Sequence, residues 1–169
     1  MKPRSALAGT LASIAALAGC GSEDAPETPP ACVASPAAYL AALEAAPGEV
    51  RLDGTTAISL CITKDQEPGA LASVGESVVA AATELNRDIL RLRDSGTGGA
   101  EAELERKAIA LGYLVGAIQE AASKTGGIHQ DLILRLDSAA RYAGPDDESF
   151  SAEIERDIGQ GYNAGQETG

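Results

Sequence analysis

Few side chains in this sequence are equipped for chemistry. There is one histidine, His129, three cysteines, Cys20, Cys32 and Cys61, and 25 acidic residues against 13 basic ones. His129 lies in Gly126-Gly127-Ile128-His129-Gln130-Asp131, at the start of a helical pattern, where the positive end of the backbone dipole disfavours its protonated form. It is the one weak ligand-site candidate, as a lone general base or a hydrogen-bonding cap. A solvent-facing or loop-bracing role is the better reading. With no second histidine, a zinc site of ordinary ligand count is out of reach. The carboxylates lack the Glu-x-x-His pairs of a di-iron bundle, and Asp146-Asp147-Glu148 lacks the ligand alternation of a calcium loop. No serine sits in a Gly-x-Ser-x-Gly elbow, and Gly96–Gly99 lacks the lysine and the preceding strand of a phosphate loop. Nucleophile, base and orienting group do not come together, so no catalytic residue, metal site or cofactor is expected and the chain reads as a non-enzyme.

Charge removes another class of function. The formal net charge is −12, whereas nucleic-acid binding is driven by Lys and Arg that release counterions. Apolar residues make up 44% of the chain but aromatics only 3%, without tryptophan. A core of Ala, Leu, Ile and Val follows, which favours closely packed helices over an aromatic-rich sandwich.

The amino terminus carries the most specific pattern. Lys2 and Arg4 form a basic start, followed by an apolar run from Ala6 to Ala18. As a helix that run spans about 20 Å, short of the roughly 30 Å hydrocarbon core, so a cleaved export signal is the natural reading. It closes with Leu17-Ala18-Gly19-Cys20. In this the chain resembles the bacterial lipoprotein precursors, whose signals end in Leu-small-small-Cys. The resemblance covers residues 1–20 only. It implies diacylglycerol transfer to the Cys20 sulfur, cleavage between Gly19 and Cys20, and often acylation of the new amino terminus. The competing reading is an ordinary secretory signal, cut around Ala16–Ala18, with an incidental Cys20. Two or three acyl chains hold a protein stably where one does not. The resemblance thus implies a protein anchored through Cys20 on the extracytoplasmic face of a cell membrane or outer membrane; Gly21, rather than Asp, permits outer-membrane sorting.

Removing residues 1–19 takes away Lys2 and Arg4 and leaves a mature chain with 11 basic and 25 acidic residues, a net charge of −14. Anionic headgroups repel such a body, so the lipid must do the holding. Residues 20–31 are acidic and proline-rich without apolar periodicity, and read as a tether. If Cys20 is consumed by lipid, Cys32 and Cys61 remain, and in an exported protein they are most simply a disulfide; two free buried thiols are the alternative.

Residues 32–169 read as one all-α domain: an up-down bundle of four longer helices, preceded by a short helix and an irregular segment tied by that disulfide. Ser35-Pro36 starts the short helix and Pro47-Gly48 stops it. Residues 49–63 alternate in period two, but an isolated hairpin is marginal, and irregular chain or a short helical turn around Cys61 both fit. From Pro68, Leu71, Val74, Val78, Ala81, Leu85, Ile89 and Leu92 recur at steps of three and four. A second seam runs Leu104, Ala108, Leu111, Val115, Ile118, Ala122, between an acidic start at Glu101 and a stop at Gly126-Gly127. The third helix carries Leu132, Leu136, Ala139 and Ala143 up to Gly144-Pro145, and the fourth opens with Asp146-Asp147-Glu148 and places Phe150, Ile154, Ile158 and Tyr162 four residues apart. Gly159, Gly161 and Gly165 suggest a fraying end. Gly112 and Gly116 suit close backbone packing inside the bundle. The expected role is that of a non-enzymatic binding or structural module of the envelope, with the membrane and an envelope protein as partners. A small-ligand or cation-binding bundle is the alternative.

Overall fold

The computed structural model of the chain describes residues 27–96, 99–141 and 150–169. Among them the regular structure is entirely helical: α1 (Pro36–Leu43), α2 (Pro68–Ser95), α3 (Glu101–Ser123), α4 (Gln130–Arg141) and α5 (Ala152–Thr168), with 3-10 turns at Pro30–Val33 and Ile58–Cys61. The expected all-α bundle is what forms. Pro36 and Pro68 each occupy the first turn of their helix, where a missing N–H costs nothing. Gly96, at φ 58°, ends α2 in the left-handed conformation that a side chain disfavours.

Residue pairs fix the helix directions. Lys107 of α3 meets Asp88 of α2, and Gln119 of α3 meets Asp137 of α4, so α3 runs antiparallel to both. Gly75 faces Leu132 while Asn86 donates to the Ala139 carbonyl, so α2 and α4 run parallel. α5 lies parallel to α3: Gly161 abuts Ile109, and Gly165 abuts Tyr113. The core is built from aliphatic and alanine side chains, including Val74, Val78, Leu85, Ile89, Leu111, Leu114, Ile118 and Leu136, with Tyr39 and Tyr113 buried among them.

The α3–α5 contact is made differently from the others. A methyl group built at Gly112 or Gly116 would run into the carbonyl oxygen of Ile158 or Tyr162, and one at Gly161 or Gly165 into that of Ile109 or Tyr113. Two glycine pairs, each spaced by four, therefore face one another and bring the two backbones together. The close packing expected at Gly112 and Gly116 is present. The fraying expected of the last helix is not: α5 continues to Thr168, because Gly161 and Gly165 form its contact face and the burial they permit outweighs their poor helix propensity. Ser151 caps α5, its hydroxyl accepting from the Ile154 N–H. Asp146–Glu148, expected to open this helix, and Ala143–Pro145, expected to close the previous one, lie outside the described residues.

Between α1 and α2 the chain is irregular but tightly tied. Asp53 and Gly54 both take positive φ, at 52° and 78°, in a turn where the Thr55 N–H donates to the Leu52 carbonyl; Leu52 and Thr56 form an isolated bridge. The 3-10 turn at Ile58–Cys61 breaks the period-two alternation: Ile58, Cys61 and Ile62 point inward and Leu60 points out.

Candidate functional site

Cys32 and Cys61 form a disulfide with Cα atoms 5.2 Å apart, as expected. It joins the two 3-10 turns and is fully buried. Tyr39, one turn into α1, donates its hydroxyl to the Cys32 carbonyl at 2.7 Å, and burial pushes its phenol well above the ordinary tyrosine range. Gln66 donates to the Cys61 carbonyl at 2.9 Å, and Ser77 of α2 to the Ala34 carbonyl at 2.7 Å. Each bonded carbonyl flanks the bridge, so this corner is held by hydrogen bonds as well as by covalent linkage. Cys20 lies outside the described residues.

His129 immediately precedes α4 and is buried. Its Nε2 is 2.8 Å from the Thr63 carbonyl, which accepts, so Nε2 carries a proton. Nδ1 and the Thr63 hydroxyl are buried without hydrogen-bond partners. The ring ties the α3–α4 turn to the segment following Cys61, which is the loop-bracing geometry. His129 also borders a cleft of about 250 Å³ with Gln119, Ser123 and Gln130, but its free nitrogen is buried. Among the described residues no three His, Cys, Asp or Glu side chains cluster so as to hold a metal ion.

A larger cleft, about 450 Å³, lies between α3, α4 and α5. Leu111, Val115, Ala140, Phe150 and Ile158 make its apolar floor. One wall is a directed chain of hydrogen bonds: Gln166 donates to the Tyr162 hydroxyl at 2.9 Å, Tyr162 to Gln119 Oε1 at 2.7 Å, and Gln119 to Asp137 Oδ1 at 2.9 Å. Each donor polarises the next, and the chain ends on the Asp137 carboxylate of a cleft that Arg141 and Glu155 also line. Such a wall can orient a polar group over an apolar body. It supplies no nucleophile paired with a base. Sequence periodicity counts Tyr162 only as a seam residue and leaves Gln119 off the seam, so this arrangement was not foreseen. A phenol closing an apolar seam, needing a partner once buried, is the one signal that points to it.

No family model, curated protein or solved structure matches this chain. No described helix is long and apolar enough to cross a membrane.

Proposed function

We propose that this protein is a lipid-anchored, extracytoplasmic module with a non-enzymatic binding or structural role in the cell envelope. The observation that carries this reading is Leu17-Ala18-Gly19-Cys20, closing an apolar run that begins with Lys2 and Arg4. The Cys32–Cys61 bridge supports it from an independent direction, since disulfides persist in exported proteins and are rare where glutathione keeps thiols reduced. It also leaves Cys20 as the single cysteine free to accept lipid. Signal residues 1–19 are removed, residues 20–31 span from the acyl chains to the body, and no cofactor takes part. Mass spectrometry of the amino-terminal peptide with lipid retained tests the reading. A diacylglyceryl Cys20 as the first residue is the expected result, and Cys20→Ser releases the protein from the membrane fraction. An unacylated product that keeps Met1 overturns it.

The cleft between α3, α4 and α5 favours a second reading, a bundle that binds a small ligand with one polar end. Thermal melting against calcium and a metabolite panel separates the two. A ligand at about a hundred times its Kd adds roughly 2.7 kcal/mol, and a rise in melting temperature that Gln119→Leu abolishes would favour the second.

A further inference from the structure

The surface hydrophobics of this body are polarised, and the polarity coincides with the point where the amino-terminal segment joins it. Among the described residues four large aliphatic side chains are exposed: Val33 (45%), Leu60 (56%), Ile128 (58%) and Leu134 (60%). All four belong to the half of the molecule where α2 and α4 begin and α3 and α5 end. Val33 and Leu60 are the immediate neighbours of the bridged Cys32 and Cys61. Ile128 adjoins His129, whose ring is bonded to Thr63, two residues beyond Cys61. Leu134 is in the second turn of α4. The Ser77–Ala34 bond and the Gly75–Leu132 contact put the first 3-10 turn and the start of α4 level with the same stretch of α2. Ser59 donates to the Gly169 carbonyl, which brings the end of α5 to this half as well. The opposite half, by contrast, carries charges of both signs in ion pairs: Arg91 and Lys107 with Asp88, Arg106 with Glu103, and Arg156 with Glu153 and Asp157.

We propose that this apolar end rests on the bilayer that holds the acyl chains of Cys20, with Val33, Leu60 and Ile128 entering the headgroup layer and the opposite, ion-paired end directed away. The inference builds on the lipid-anchor reading above. Nine residues lie between Cys20 and Pro30, which limits the first 3-10 turn to at most about 36 Å from the anchor. Charged side chains at this end include Lys64 and Lys124 against Asp65, Glu67, Glu120, Asp131 and Glu167, an acidic majority without a basic patch, so the surface it suits is zwitterionic rather than anionic. Three aliphatic side chains are too few to bring a soluble protein to a membrane, but a short tether supplies an effective concentration in the millimolar range, at which a weak contact is well populated.

The test uses the full lipidated protein in phosphatidylcholine nanodiscs that contain a headgroup spin-labelled lipid, read by methyl NMR of its Ile, Leu and Val side chains. Val33, Leu60 and Ile128 should lose most of their intensity, while Leu92 and Leu104 of the far half keep theirs. A Leu60→Ser/Ile128→Ser variant should keep its lipid and its melting temperature and lose most of that selectivity, because both side chains are exposed. Lipid present at Cys20 with equal or no attenuation at the two ends overturns the orientation and leaves the anchor standing. Absence of lipid at Cys20 overturns both. Concentration-dependent shifts of the same methyls in bilayer-free Cys20→Ser protein would mean that a second copy covers this end, which also overturns it.

Discussion

Gly116 of α3 lies so close to Tyr162 of α5 that a methyl group in place of its hydrogen would meet the Tyr162 carbonyl oxygen. Relief requires two backbones to part, which no side-chain rotation achieves. Gly116→Ala should therefore cost about 3 kcal/mol, the upper end of overpacking, and lower the melting temperature by roughly 10 °C. Gly159→Ala is the matched control. Nothing lies within 4 Å of a Cβ built there, so it should gain about 0.5–1 kcal/mol from helix propensity alone. Equal stability of the two variants would show that the helices do not meet at Gly116.

The contrast between those two glycines marks what can be seen in the amino-acid sequence. α2 and α3 were legible because their apolar residues recur at steps of three and four over several turns, a signal contained within each helix. Gly161 and Gly165 were misread as an end effect, since a glycine weakens a helix unless a second backbone comes up to it. That partner, near Gly112 and Gly116, lies some fifty residues away in the chain. Leu60 poses the same difficulty over a shorter range: alternation groups it with Ile58 and Ile62, and only the 3-10 turn turns it outward. The disulfide was readable from cysteine arithmetic; for His129 the sequence left solvent-facing and loop-bracing roles open, and its burial against the Thr63 carbonyl overturns the first. The Tyr162–Gln119–Asp137 chain was not, because it joins three helices at positions that periodicity treats as unrelated.

Reduction of Cys32–Cys61 removes a covalent link across a sequence separation of 29 residues. In the chain-entropy account this costs about 3–4 kcal/mol. Urea denaturation with and without reductant should show the loss as a lower midpoint. A Cys32→Ser/Cys61→Ser variant should match the reduced protein.

His129→Ala leaves the part-buried Thr63 carbonyl without its donor and should cost about 1–2 kcal/mol. His129→Gln, whose amide can donate, should recover part of this. Thermal melts of the three proteins check the order wild type, Gln, Ala.

The Asp53 carboxylate accepts from the Thr55 hydroxyl and from the Thr55 and Thr56 backbone N–H groups. The Thr55 hydroxyl first, and then the Thr56 N–H, hold its pKa below the ordinary aspartate value. A proton therefore binds the unfolded chain more readily than the folded one. The stabilisation is complete above the unfolded pKa and is lost as pH falls through the folded one. Asp53→Asn should flatten the acid limb of the stability curve between those two values and leave the neutral limb's slope unchanged, as read by melts across pH.

The position of the bridge also decides how the body responds to force. A pull along the amino-terminal segment arrives at Pro30, two residues ahead of Cys32, and crosses the sulfur–sulfur bond to Cys61 in the turn that sits against α3. The 28 residues between the cysteines, α1 among them, stay slack while the strain passes to the long central helix. Under tension the folded mass is thus gripped through the bridged turn and is not peeled from its first helix.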